Sequence, residues 1–576
     1  MRRLIAGGRW RVALPLAGLL IVFASRTLPA QPAASAGAPA AAPAALADDA
    51  SLVAMLEALR AADATYDYAA KADVARKLAD SGDPSAPAVL QALLEDRLYV
   101  RTADERVFIV TSADDALSSL ELVDPVSRRV AGNAPRDALA KIGTNNSLRR
   151  TLRILVARFA LSSPDATTRL GAVEEMLRSL DEANVARLRA QMSRETDPRV
   201  KEEIETGLAL AALDGTDTDR AARLAAIHTL SGKLRPEARN RLQQLLDRSP
   251  DGTYAEPDAE VRQAAAAAVR RIDDWRTFYS YVETLFFGLS LGSVLVLAAI
   301  GLAITFGVMG VINMAHGELM MLGAYTTYVT QLLMPNHIGA SIIVAIPAAF
   351  VVSGLAGVAI ERTIIRYLYG RPLETLLATF GISLVLQQLV RSIFTALNRS
   401  VETPAWMSGT WQINGALAIT YNRLDIVVFT FAVFGVLLVV LKRTRLGLDI
   451  RAVSQNRTMA QAMGIRTDWV DAMTFGLGAG IAGVAGVALS QLTNVGPNLG
   501  QSYIIDSFMV VVFGGVGNLW GTFIGGMTMG VVNKVLEPYA GAVLAKIFVL
   551  IALILFIQRR PRGLFPQTGR AADGQS

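Results

Sequence analysis

The stretch K442-RTRLGLDIRAVSQNRTMAQAMGIRTDWV-D471 decides how the chain is to be read. It carries Lys442, Arg443, Arg445, Arg451, Arg457 and Arg466 against only Asp449, Asp468 and Asp471. Before it runs the uninterrupted apolar segment Ile426–Leu441, and after it the glycine-rich apolar segment Ala472–Leu489. A basic loop between two apolar spans marks the inner face of a membrane protein, because cationic loops resist translocation. The loop also has internal order. Asp449 can sit in the first turn of a helix, Ile450, Val453, Ala460 and Met463 share one face, and Gly464 is a natural residue just past its end. The expectation is one short amphipathic helix, Asp449–Gly464, with an apolar face open to a partner.

Working outward, further apolar segments lie near 285–312, 319–334, 340–360, 375–397, 472–490, 503–516, 519–535 and 541–557. Segment 503–516 is short for a span, since crossing a bilayer takes about 20 helical residues. About eight crossings are expected, with 503–516 and 519–535 as a crossing pair or one re-entrant unit. Two other basic stretches fall on the same side as Lys442: Glu361–Arg371, with Arg362, Arg366 and Arg371, and the ending at Arg559, Arg560 and Arg562. Trp275, Phe278, Tyr279 and Tyr281 precede the first span as an interfacial belt.

Composition agrees. Hydrophobic residues make up 52% of the 576, and mean hydropathy is +0.37, high for a soluble protein. The net charge of +6 is explained by membrane-flanking loops, and no basic stripe with interleaved aromatics suggests nucleic acid. There is no cysteine, hence no disulfide framework and no thiolate metal site.

The N-terminal half has a different character. Residues 1–30 read as a signal peptide, with Arg2, Arg3, Arg9 and Arg11 before the short apolar core Val12–Ala24. Cleavage near Ala30 or after Ala47 are both open. Residues 31–47 form an Ala/Pro-rich linker. Residues 48–275 are soluble in character, with helical periodicity in Leu52–Leu59, Arg149–Leu161, Leu170–Leu180 and Val200–Leu213. Asp197 with Val200 and Lys201, Asp258 with Val261 and Arg262, and Asp219 with Arg223 form an irregular repeat of the HEAT-like helical kind. Arg106–Val110 and Leu120–Val123 are expected to be a small β insertion. Residues 283–566 form the transmembrane domain, and 567–576 a disordered tail. The fold class expected is an all-α polytopic membrane protein with a mainly helical, HEAT-like periplasmic domain.

No G-x-x-x-x-G-K-[ST] and no H-E-x-x-H is present, so the chain is expected to hydrolyse no ATP and to hold no metal. Gly478-Ala-Gly480-Ile-Ala-Gly483 spells a dinucleotide fingerprint, but inside an apolar span, where small-residue packing is the better reading. Polar groups at membrane depth are the stronger signal, because they are costly unless they pair or line a cavity. Asn313, His316 and Glu318 interrupt the apolar run between Val311 and Leu319, with Gly310 and Gly317 beside them; they line a path, or form a tight turn with Glu318 as cap. Asn494 sits in a second break, Asn494–Gly500. Asp506 and Ser507 lie within an apolar segment, Gln387 and Gln388 within another. Lys546 reads as snorkelling to the interface.

These residues carry a resemblance. Ile312-Asn313-Met314-Ala315-His316-Gly317-Glu318 resembles a signature of permease subunits in the branched-chain amino acid class of ABC importers, with Met314 where Phe is usual. Lys442–Ile465 is similar to that class's coupling loop. Val512–Gly521 and Arg562-Gly563-Leu564-Phe565-Pro566 also match its pattern. The resemblance covers roughly residues 283–566. Within the class, Asn494–Ser507 and the long N-terminal extension are most similar to the urea-transport branch. It implies a permease subunit without cofactor of its own, paired with a second homologous permease, two ATPase subunits and a periplasmic substrate-binding protein that delivers urea or a short amide. The polar residues within the apolar segments, Asn313, His316, Glu318, Gln387, Asn494, Asp506 and Ser507, are the candidate substrate path. ATPase coupling would fall on Asp449, Ile450, Val453, Ala460, Met463 and Gly464. A stand-alone channel or ion-coupled carrier with a helical sensor domain is the competing class; a carrier would want a richer ionisable network.

Overall fold

The computed structural model describes residues 49–111, 119–214, 219–248 and 250–565. The signal peptide, the Ala/Pro linker and the tail expected from the sequence lie outside them. The chain divides at Arg276/Thr277 into two compact units.

The N-terminal unit begins with α1 (Asp49–Ala64), α2 (Tyr68–Asp80) and α3 (Ala86–Leu94). Five short strands come next: β1 (Leu98–Arg101), β2 (Val107–Val110), β3 (Ser119–Val123), β4 (Val130–Pro135) and β5 (Leu139–Lys141). They form one antiparallel sheet in the order β4-β3-β2-β1-β5, with Leu98 opposite Ile109 and Leu120 opposite Ala134. The expected β insertion is therefore present and larger than its two legible strands. Phe108, Val110, Leu120 and Leu122 pack one face, as alternation requires.

Then come α4 (Asn146–Ala160), α5 (Ala166–Met176), α6 (Glu182–Met192), α7 (Pro198–Asp214), α8 (Arg220–Leu230) and α9 (Pro236–Gln244). Asp165 and Asp181 cap α5 and α6 by accepting from the Thr168 and Asn184 amides. The Asp-x-x-x-Arg pattern has a physical basis. Arg169, four residues after Asp165, donates from Nε and Nη2 to both oxygens of buried Glu195 at 2.9 and 2.7 Å. Arg223, four after Asp219, donates to buried Glu256 at 2.7 Å. Each arginine thus ties one helix to the carboxylate that precedes a later one. Arg169 donates further to the Ser163 and Pro164 carbonyls, and Arg262 to those of Glu256 and Pro257.

The second unit is built on α10 (Ala259–Met309, within which the unit boundary falls), α11 (His316–Leu333), α12 (Ile338–Thr363), α13 (Pro372–Phe394), α14 (Tyr421–Arg443), α15 (Arg445–Gln455), α16 (Arg457–Ala462), α17 (Thr467–Ser490), α18 (Leu499–Gly514) and α19 (Leu519–Arg559). A hairpin of β6 (Thr410–Asn414) and β7 (Leu417–Thr420) precedes α14. Among the described residues six helical segments are long and apolar enough to cross a membrane: Ala259–Met309, Pro335–Tyr367, α13, α14, α17 and α19. The 16 residues of α18 rise only about 24 Å, short of the ~30 Å hydrocarbon core. α19 is two helical arms meeting at Gly541, whose φ of +77° and ψ of 161° no helix contains.

α17 lies at the centre, nearly all of it buried. Its glycines are there for close approach. A Cβ on Gly483 would meet Ala349 O at 2.5 Å, and one on Gly486 would meet Met320 O at 2.0 Å. The G-x-G-x-x-G letters are thus helix-packing residues.

Candidate functional site

α10 ends at Met309 because Gly310 turns to φ +66°. Residues 310–313 run without helical structure, so the polar groups of this break need other partners. Asn313 Oδ1 accepts from the Ala315 amide at 3.0 Å, and Thr379 Oγ1 from the Met314 amide at 3.1 Å. His316, wholly buried, donates from Nε2 to the Ala298 carbonyl at 2.8 Å. Glu318 is 1% exposed and does not cap α11. Its Oε1 accepts from Ser383 Oγ and from Gln387 Nε2, both at 2.7 Å. Oε2, Asn313 Nδ2 and His316 Nδ1 have no hydrogen-bond partner among the described residues.

The partners belong to one stripe. Thr375, Thr379, Ser383 and Gln387 recur every four residues on α13 and are buried, with Arg391 one turn further. The other faces of α13 carry exposed Leu373, Leu377, Leu384, Val385 and Leu389. A span polar on one side and apolar elsewhere turns its stripe inward, here onto the break before α11. The stripe's end reaches α18: Arg391 Nη2 donates to Asn498 Oδ1 at 2.7 Å. Backbone contact between Gly317 and Gly500 brings the starts of α11 and α18 together, since a Cβ on Gly317 would lie 2.6 Å from Gly500 O. Sequence reasoning found Gln387 but missed Thr375, Thr379 and Ser383. Four-residue spacing of polar side chains in an apolar run was the available signal. Gln388 is exposed.

Asn494 is not part of this cluster. It is exposed in the turn after α17, where Val495 pairs with Arg399 through two backbone bonds of 2.7 and 2.8 Å. Ser507 donates to its own helix, to Tyr503 O at 2.8 Å. Asp506 points elsewhere than Glu318, because it lies on the α18 face turned to α10 and α19. There it pairs with Lys546 at 2.9 Å, while the Lys546 side chain itself remains 54% exposed. The pair borders a cavity of about 180 Å³.

The basic loop is two helices, α15 and α16, broken at Asn456 (φ −156°), whose Oδ1 caps α16 by accepting from Met459 N at 2.9 Å. α15 starts at Arg445 with Thr444 as cap, so Asp449 lies beyond the first turn. The expected open face is closed. Ile450, Val453 and Ala460 are each about 95% buried in a cluster with Val470, Val308 and Leu441 of the same unit. Met463 is the exception at 78% exposed, and Leu448 and Met459 are exposed with it. Gly464, at φ +87°, follows α16 in a Schellman arrangement: its amide bonds Gln461 O, and that of Ile465 bonds Ala460 O. The loop is pinned by Arg457, which donates to Asp471 at 2.5 Å and lies over the Tyr369 ring at 4.7 Å. Burial, with Asp471 beside it, pushes the Tyr369 hydroxyl up from its usual range.

Bundled apolar helices with an inward polar stripe and a pinned basic loop define a polytopic membrane protein with a polar interior. A family model described as branched-chain amino acid transport system / permease component matches residues 284–557. The high-affinity branched-chain amino acid transport system permease proteins LivH of Escherichia coli K12 and BraD of Pseudomonas aeruginosa are each 32% identical to it, across 50% of this chain and 96% of theirs. A probable LivH of Methanocaldococcus jannaschii is 27% identical across 47% of this chain and 88% of its own. No solved structure matches. The chain belongs to the branched-chain amino acid transport system permease family, its N-terminal unit lying outside the match.

Proposed function

We propose that this chain is the membrane-spanning permease subunit of an ABC importer for a small, polar, nitrogen-bearing solute. The observation that carries the reading is Glu318, buried in a bundle of apolar helices and held by Ser383 and Gln387. Such a cluster is expensive in a span and serves where a polar solute must pass. Two separate ATPase subunits would supply the energy, a second permease subunit would complete the pore, and a periplasmic binding protein would deliver the solute. The ATPase would sit on the outer side of the basic loop, at Leu448, Met459 and Met463. The N-terminal unit, read as stacked HEAT-like helical pairs, would stand in the periplasm.

Branched-chain amino acids are the first solutes to consider, in line with the names of the relatives. Urea or a short amide is the second, favoured by the resemblance of Asn494–Ser507 and by the helical extension before the spans. Uptake of labelled leucine and labelled urea by cells with and without this chain decides between them. Loss of leucine uptake alone supports the first, and loss of urea uptake alone the second. No loss of either would contradict the proposal.

A further inference from the structure

Within the second unit α12, α14 and α17 enclose a groove of about 390 Å³, whose lining side chains are all apolar. Its floor is Gly354, Leu437, Gly476 and Ile481, all buried, and its rim is exposed Val351 and Leu355. From Met473 to Val484 the wall formed by α17 rises about 16 Å. Over that length the groove has the section of acyl chains, whereas a helix with its side chains is about 10–12 Å across and would not enter. One end of the groove is charged. Arg362 stands four residues after Val358 on α12, and Arg443 three after Val440 on α14, so each continues the groove face by one turn. Arg445 precedes Leu446, which lines the same end. On α17 half-exposed Trp469 stands four residues before Met473. The acidic groups of these helix ends are Glu361, buried and 3.8 Å from Arg362, Asp468, 4.0 Å from Arg366, and half-buried Asp449. Lys442, Arg443 and Arg445 are exposed and have no ion-pair partner among the described residues.

We propose that this groove seats an anionic phospholipid from the leaflet on the side of the basic loop, with its acyl chains between α12, α14 and α17 and its headgroup on Arg362, Arg443 and Arg445. Lipid meets every outer face of a span, but a concave apolar slot that ends in cations selects one molecule by both of its parts. The slot takes the chains, and basic residues between spans suit an anionic headgroup. Guanidinium forks match phosphate oxygens in pairs, so the headgroup is held by geometry as well as by charge. Trp469 stands at the same level, where an indole is at home between lipid and water. The seat has a consequence for the basic loop. Leu446 belongs both to the groove and to the cluster that closes over Ile450, Val453 and Ala460. A lipid in the groove therefore braces α15 from the membrane side, whichever solute the protein carries.

The test is lipid binding by the purified transporter complex, stripped of lipid in detergent and offered phosphatidylglycerol or phosphatidylcholine with the same acyl chains, read by native mass spectrometry. The wild type is expected to hold phosphatidylglycerol at least tenfold more tightly, without competition from excess inorganic phosphate. Arg443→Gln/Arg445→Gln should bring the two lipids to equal affinity. Arg559→Gln/Arg560→Gln, in another exposed basic stretch, should keep the preference. Val436→Trp narrows the groove from half-buried Val436 and should weaken both lipids. Equal affinity of the wild type for the two lipids, or a preference that survives Arg443→Gln/Arg445→Gln, would overturn the proposal. Competition by inorganic phosphate would overturn it as well, by making the cations an ion site that does not need the groove. A wild type that retains no lipid, with a Val436→Trp variant that loses the companion permease, would give the groove to that subunit instead.

Discussion

Glu318 shows how far a single residue can be read. An acidic side chain inside an apolar run was visible as costly, and so as a candidate; its partners were not. Ser383 and Gln387 lie 65 and 69 residues away, and serine is too common in spans to stand out. Glu318→Ala would leave the buried Ser383 hydroxyl without its acceptor, at about 1–3 kcal/mol, and Gln387 Nε2 with only its 3.2 Å bond to Ser383 Oγ; reduced abundance in the membrane is expected. Glu318→Gln keeps an accepting oxygen for them. It is expected to reach the membrane at normal abundance and to slow uptake at least tenfold, and unchanged uptake would make the cluster purely structural. In the N-terminal unit the Arg169 guanidinium, with help from Gln191 and two backbone amides, holds the Glu195 carboxyl down to about 2 from 4.5. A carboxyl lowered in the fold stabilises it fully above its unfolded value, and the gain drains away as pH falls from 4.5 towards 2. Arg169→Ala strands that carboxylate and is expected to lower the unfolding temperature at neutral pH. Thermal unfolding of the two proteins should differ most near pH 7, and the gap should shrink below pH 4.5 and close only as pH falls through about 2, whereas a gap independent of pH would contradict the assignment.

At the scale of the element, the basic loop was half legible. Its apolar periodicity and its glycine stop were both in the sequence, and Gly464 does turn to φ +87°. What periodicity cannot give is the partner of an apolar face. Ile450, Val453 and Ala460 are covered by Val470, Leu441 and Val308 from the same unit. The break at Asn456 was also in reach, because asparagine is a strong cap and Met459 stands three residues on. The closed face reverses an expectation. Ala460→Glu would place a charge in a closed cluster and is expected to disorder the loop and lower abundance. Met463→Glu alters only an exposed side chain. It should leave abundance intact while cutting ATPase co-purification and uptake, and full co-purification would place the docking surface elsewhere. Gly464→Val forces a β-branched residue into a left-handed turn, at about 1–2 kcal/mol or more. The α18 cavity was illegible for a similar reason: Asp506 and Lys546 are 40 residues apart and only the fold makes them a pair.

For the whole molecule, hydropathy located the apolar segments well, since helices stand at each of them, but it could not say which are complete spans. α18 is short, and α19 joins two segments through Gly541. The helical and β parts of the N-terminal unit were legible from periodicity and from the spacing of aspartate and arginine, whereas the salt bridges that give this spacing its purpose were not. If the charged start of the chain exports the N-terminal unit, a reporter active only in the cytoplasm should be silent when inserted after Asp214, and an active one would overturn that topology. The central claim is that this chain is a conduit driven by energy from other subunits. Its most direct measurement is solute uptake into proteoliposomes holding this chain with its companion permease and ATPase subunits and the binding protein, with ATP or a non-hydrolysable analogue inside. The account predicts accumulation with ATP, none with the analogue, and none when the ATPase subunits are omitted. Uptake that continues without them would contradict it and make the protein a channel or an ion-coupled carrier.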